Sequence, residues 1–177
     1  MPNYRRAFVP GGCWFFTVNL LERRRTLLVD RVDALRAAFE QTRRSYPFEI
    51  TAIVVLPDHL HAVWTLPPDD ADFATRWRLI KTRFAKALPK SERRSAVRQR
   101  RHERGIWQRR YWEHIIRDDA DYARHIEYCY FNSVKHGLVR RVQDWPHSSF
   151  HRDVRRGLFP LDWAGEFAVG GEFGERR

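Results

Sequence analysis

The sequence predicts an α+β fold: a ferredoxin-like (RRM-like) βαββαβ antiparallel sheet with an added C-terminal tyrosine-bearing helix and tail. Three observations carry that expectation. Four β-branched or aromatic runs alternate with two amphipathic stretches in the order strand, helix, strand, strand, helix, strand. Only Pro57-Asp58 or thereabouts separates the second and third runs, which points to an antiparallel hairpin. A further helical stretch follows the last strand and stops at Gly137.

The first strand is Cys13 to Leu21 (CWFFTVNLL), entered through Pro10-Gly11-Gly12. Ahead of it, Tyr4-Arg5-Arg6 forms a short basic-aromatic arm suited to phosphates and a stacked base, although termini are commonly just solvated. Arg31 to Ser45 places Val32, Leu35, Ala38 and Phe39 at helical spacing, with Asp30 as expected N-cap and Pro47 as the stop. Phe48 to Leu56 and Asp58 to Leu66 are the hairpin strands. After the turn Pro67-Pro68-Asp69-Asp70, a helix from about Asp72 to Leu88 aligns Phe73, Trp77, Ile80, Phe84 and Leu88. Its other face carries Arg76, Arg78, Lys81, Arg83 and Lys86. Lys90 to Arg104 is the most basic segment. It reads either as a solvated, mobile insertion or as a phosphate-gripping loop. Ile106 to Arg117 supplies the fourth strand.

The 177 residues suffice for one domain with a tail and a substantial core. Thirty-three basic residues against 22 acidic ones leave a formal charge of +11, which implies an anionic partner. Nucleic acid is favoured over a membrane, because no apolar run approaches the about eighteen residues that a span needs. The N-terminus lacks the apolar segment of a signal peptide. Cys13 and Cys129 have neither disulfide-framework nor zinc-site spacing, so a reducing, cytoplasmic compartment is expected.

Chemistry concentrates in two places. His59 and His61 lie two residues apart in a strand and therefore project from one face, while Leu60, Ala62, Trp64 and Leu66 form the opposite, core-facing side. Two neutral imidazoles at that spacing can share a metal ion, though such a pair also arises by chance. Asp118 to Gly137 is a helix with two stripes. Tyr122, Ala123, Ile126, Cys129, Tyr130 and Val134 share the apolar one; Asp121, His125, Tyr128, Asn132 and Lys135 share the polar one. This phase assigns Tyr130 to the core and leaves Tyr128 for chemistry. A surface tyrosine bonded across the helix is the plain alternative.

Together these elements resemble the HUH single-tyrosine nucleases, and more closely the REP-associated tyrosine transposases. The resemblance rests on Gly11 to Leu20, on Val55-Leu56-Pro57-Asp58-His59-Leu60-His61, on Trp107 with Trp112-Glu113-His114, and on Tyr128 through Asn132-Ser133-Val134-Lys135-His136-Gly137. It continues through Asp144 to Arg152, then Gly157, Pro160 and Asp162-Trp163, and so spans nearly the whole chain. Ser133 replaces a proline usual in the family, and the 90–104 segment is longer than the family pattern.

The resemblance implies a bacterial, nucleoid-associated enzyme that cuts and rejoins single-stranded DNA at hairpins through a covalent 5′-phosphotyrosine on Tyr128. His59, His61 and Asn132 would hold Mg²⁺ or Mn²⁺. Arg5, Arg6, Arg109 and Arg110, together with Tyr4 and Lys135, become candidate DNA contacts. Glu113, His114 and His136 become candidate supports around the ligands. Residues 1–137 would form the catalytic domain and 138–177 a tail docking on it near the active site, fraying beyond Ala164. That tail favours a monomer over a homodimer. No GxxxxGK[ST] run is present, so ATP-driven chemistry is not expected. Two other readings compete: a non-catalytic nucleic-acid-binding regulator on the same fold, and a metal-dependent hydrolase that activates water and leaves Tyr128 idle.

Overall fold

In the computed structural model, which describes residues 8–23, 26–165 and 173–174, four antiparallel strands form one sheet in the order β2-β3-β1-β4. They are β1 (Cys13–Asn19), β2 (Glu49–Val55), β3 (His59–Thr65) and β4 (Trp112–Ile115). With α2 (Val32–Ser45) and α3 (Phe73–Ala87) between them, this is the ferredoxin-like arrangement. The remaining helices are α1 (Leu27–Asp30), α4 (Ala96–Arg100), α5 (Asp119–Lys135) and α6 (Phe150–Arg155), with a 3₁₀ turn at Val142–Asp144.

Period-two alternation splits the apolar residues into two cores. Trp14, Phe16, Val18, Leu60, Ala62 and Trp64 face α2 and α3, where Trp64 stacks on Trp77 with ring centroids 4.2 Å apart. Phe15, Ala52, Val54 and Val63 face the other way and are covered by α5. The histidine pair projects into that second layer, between sheet and helix.

Local chemistry shifts several expected features. Asp30 ends α1 and accepts from the Thr26 hydroxyl at 2.6 Å, so it does not cap α2, whose N-cap position is Arg31. Arg76, expected on an outer face, is 1% exposed. Its Nη1 and Nη2 donate to Asp72 O, Pro47 O and Asp70, three acceptors that compensate the buried charge. The fourth strand spans four residues, shorter than Ile106 to Arg117, although Trp107 bridges Leu20. The 90–104 segment is built around α4 and tied down by Arg104, which pairs with Glu92 and donates to Ala85 O, Leu88 O and Pro89 O. Those carbonyls lie at and just beyond the C-terminal end of α3, where intrahelical donors run out.

The chain after Gly137 covers the β2 edge. Val55 N donates to His147 O, Ser149 N to Ile53 O and Trp145 Nε1 to Val55 O, while Arg152 reaches the carbonyls of Ile50 and Thr51. No described helix is long and apolar enough to cross a membrane.

Candidate active site

His59 and His61 are 1% and 0% exposed, with ring centroids 5.0 Å apart and planes nearly perpendicular. Their tautomers follow from their neighbours. The Thr17 hydroxyl donates its single proton to Phe173 O at 2.6 Å, so toward His61 Nδ1, 2.8 Å away, it can only accept. Nδ1 of His61 therefore carries the hydrogen and Nε2 the lone pair. His59 Nδ1 lies 2.6 Å from Asp58 Oδ1, and a carboxylate accepts, so His59 adopts the same tautomer. Burial alone would raise Asp58, but hydrogen bonds from His59 and Arg23 outweigh it and hold its carboxyl down at about 2. Arg23 completes this cluster by also donating to Asn19 Oδ1 at 3.0 Å. Two Nε2 lone pairs on one sheet face, each braced through Nδ1, form a donor set suited to a divalent metal.

Helix α5 brings the rest. Its N-terminus is fixed by Asp118, which accepts from Asp121 N at 2.8 Å, and its C-terminus by Gly137 at φ 66°, a left-handed conformation natural to glycine. Tyr128, Asn132 and His136 follow one another at single-turn spacing on the face toward the sheet. At one end the Tyr128 ring lies 5.2 Å from that of His61, and at the other His136 lies 5.0 Å from His59. Asn132, fully buried, falls between them along the stripe. Lys135 Nζ donates to Tyr128 Oη at 2.8 Å and sits 4.7 Å from the ring centre. Phe173 stacks flat on Tyr128, with centroids 3.7 Å apart, leaving Tyr128 2% exposed. The polar stripe of α5 is thus an interior face, a point its composition does not reveal.

A second cluster braces this helix. His114, Asp121 and His125 hold potential ligand atoms within 4.8 Å of one another. The Asp121 carboxylate accepts from His114 Nε2 at 2.8 Å, Arg124 Nη2 at 2.7 Å and Arg117 N at 3.2 Å. Burial opposes its charge, yet these donors hold its pKa well below the usual carboxylate range. With its oxygens so engaged, the cluster reads as a clamp between β4 and α5.

The other expected site residues divide. Glu113 pairs with Phe16, so it projects toward α2 and α3, away from the histidine pair; β-strand alternation overrides its place in the motif. His114 is on the histidine side but binds Asp121 and stacks on His125 at 4.7 Å, so it braces α5 and touches neither His59 nor His61. Arg109 and Arg110 are exposed near the end of β4. Tyr4, Arg5 and Arg6 lie outside the described residues. Tyr130 is buried and donates to Asp153, as core placement requires. Sequence reasoning missed Asp58, Thr17 and Arg23 as supports. Asp58, adjoining His59, carried a signal; Thr17 needed the β1–β3 register. Most of the segment from Ala164 onward, expected to fray, lies outside the described residues; within it Phe173 packs on Tyr128 and His125, where an aromatic ring finds ring partners.

Comparison with known proteins now defines the class. A family model described as "Transposase IS200 like" matches residues 12–128. The REP-associated tyrosine transposase of Escherichia coli is 51% identical over 166 residues, covering 94% of this chain and 93% of its own. A relative from Haemophilus influenzae is likewise 51% identical over 166 residues, 93% of this chain and 94% of its own. A solved structure described as a REP-associated tyrosine transposase bound to a REP hairpin superimposes with a TM-score of 0.88 at 49% identity, covering 100% of this chain and 99% of that one. The chain belongs to the IS200-like transposase family, among its REP-associated tyrosine transposases. That membership gives it the role of a DNA-processing enzyme and points to a divalent-metal requirement.

Proposed function

We propose that this protein cleaves and rejoins single-stranded DNA at REP-like hairpins through Tyr128. The observation carrying the proposal is the placement of Tyr128 Oη, bonded to Lys135 at 2.8 Å, on a helix face whose rings lie 5.0–5.2 Å from the two histidines. An ammonium on the phenol oxygen stabilises the negative charge that attack requires. Oη gives up its proton to solvent and attacks phosphorus, the P–O3′ bond breaks, and the 3′ oxygen departs and takes up a proton. The product is a 5′-phosphotyrosine; a 3′-hydroxyl attacking it reverses the bond changes and rejoins DNA. The phosphodiester count is conserved, so no nucleotide cofactor is required.

His59, His61 and Asn132 would hold Mg²⁺ or Mn²⁺, the two imidazoles through Nε2 and the amide through its oxygen. When bound, that ion supplies Lewis-acid polarisation of the scissile phosphate. Asp58 and Thr17 keep both imidazoles in the ligating tautomer, and Lys135 keeps the phenol turned inward. Arg109 and Arg110, and the arm at Tyr4, Arg5 and Arg6, are assigned to the hairpin backbone, with residues 1–137 as the catalytic domain and 138–177 as its docked tail. Because that tail covers the β2 edge, a monomer in the bacterial cytoplasm is the working form. The burial of Tyr128 under Phe173 favours a second reading, in which the resting protein binds hairpins without cutting them.

The test is a labelled hairpin set incubated with protein and Mn²⁺ or Mg²⁺ and resolved on a denaturing gel. A metal-dependent adduct is expected that disappears in Tyr128→Phe and persists in Tyr130→Phe. Hairpin retardation on a native gel without adduct or cleavage, in either metal, would leave the binding-only reading.

A further inference from the structure

A cleft of about 430 Å³ lies where α5, β2 and the start of the chain after α6 meet, and its charge runs against the +11 of the whole chain. Glu49, Glu127 and Asp153 line it, against Arg152 and Arg156. Both guanidiniums are already answered. Each pairs with Asp153, Arg152 at 2.7 Å and Arg156 at 3.8 Å, and Arg152 also donates to Ile50 O and Thr51 O. The Glu49 and Glu127 carboxylates make no hydrogen bond or ion pair with any described residue. Elsewhere on this arginine-rich chain Asp58, Asp70, Glu92 and Asp121 each hold a guanidinium.

The same cleft carries unspent apolar surface. Ile126 and Phe159 are largely covered, whereas Tyr122 is 38% and Leu158 65% exposed. A single exposed leucine is ordinary; large apolar side chains gathered on one concave surface mark a place of contact. Tyr122 is hydrogen-bonded to Thr51, which falls at the register shift between Ile50 and Ala52, so its ring is held in place before anything binds. Glu49 pairs with Thr65, the last residue of β3, and His59 is the first. At about 3.3 Å per residue the two ends of that strand are roughly 20 Å apart, so the cleft stays open while DNA occupies the histidine end. Unpaired carboxylates repel phosphates, which rules against DNA or an anionic lipid surface here and favours a cation.

We propose that this cleft docks a protein partner through a peptide segment presenting an arginine beside a bulky apolar side chain. The apolar side chain seats between Tyr122 and Leu158. The arginine lays its stem on the apolar floor and carries its guanidinium to Glu127, with Glu49 adding charge from the rim. The proposal is independent of the chemistry at Tyr128. It makes the molecule two-sided, with DNA at one end of the sheet and a protein at the other.

A random-peptide phage library panned on the full chain tests this, with excess single-stranded hairpin DNA present to occupy the basic surface. Synthetic copies of the enriched peptides are then measured by fluorescence anisotropy. They are expected to combine a basic residue with an adjoining aromatic or aliphatic one. Glu127→Gln should weaken their binding at least about tenfold, as loss of a hydrogen bond between charged groups does. Leu158→Ser should weaken it about tenfold through lost apolar burial. Glu49→Gln, at an exposed position, should cost only about two- to fivefold. Thermal melting and hairpin retardation of all three variants should match the parent, so that a loss reports the cleft and not the fold. The proposal is overturned if no peptide is enriched over uncoated support, if the enriched peptides are acidic, or if Glu127→Gln and Leu158→Ser bind them as the parent does. A dimer in sedimentation that Glu127→Arg abolishes would also overturn it, giving the cleft to a second copy of this chain.

Discussion

Asp58 is not expected to touch a metal, yet it decides what His59 can offer. Its hydrogen bond to Nδ1 at 2.6 Å fixes both the tautomer and the ring plane. Asp58→Ala is therefore expected to weaken Mn²⁺ binding about 10–100-fold, as losses of such outer partners do. Isothermal titration would show it; an unchanged affinity would remove Asp58 from the site. At this scale the sequence was partly legible. Strand alternation placed His59 and His61 together, and helix phase separated Tyr128 from Tyr130. The same arithmetic could not assign Glu113 to a face, because that depends on where β4 begins, and β4 is four residues of a longer aromatic-basic run. Arg76 misled for a different reason. A guanidinium on a helix is normally solvated, and only the tertiary arrival of Pro47 O and Asp70 makes burial tolerable.

Among the elements, α5 bears the heaviest constraint, since it must set Tyr128 against His61 from two turns away. The clamp of Asp121 with His114 and the burial of His125 do this at its first turns. Burial pushes the His125 pKa below its ordinary 6.5, with the Asp121 carbonyl at its Nδ1 partly opposing. On acidification the unfolded chain therefore takes up this proton before the folded one. The stability from keeping His125 neutral is complete above 6.5 and diminishes as pH falls below it. Thermal melting should accordingly fall between about pH 7 and pH 5.5, and His125→Asn should flatten that dependence. An identical slope in the variant would assign the effect elsewhere. The order and type of the main elements were legible because their periodicities are long and unbroken. The short ones, α1 and α4, were not, since four or five residues carry too little pattern.

For the molecule as a whole, the C-terminal chain does two separable things. Residues 145–152 occupy the hydrogen-bonding edge of β2, and Phe173 lies on Tyr128. Ending the chain at residue 137 should expose that edge together with the apolar layer beneath Phe150, producing aggregation visible by light scattering. Ending it at residue 165 should preserve a soluble fold while uncovering Tyr128, so adduct formation should accelerate. A soluble, stable product of the first truncation would show the edge pairing to be dispensable.

The Thr17 hydroxyl joins the tail to the histidine pair. Its one proton goes to the Phe173 carbonyl, and that choice makes it an acceptor toward His61. When the tail lifts, the proton is free to rotate and His61 loses its tautomeric guide. Tail docking and metal affinity are then thermodynamically coupled, and each must alter the other by the same factor. A Mn²⁺ titration of the chain ending at residue 165 against the full chain measures that factor, and a value of one would mean the two equilibria run independently. Affinity for a divalent ion and exposure of Tyr128 would then form a single cooperative equilibrium, adjustable from either end.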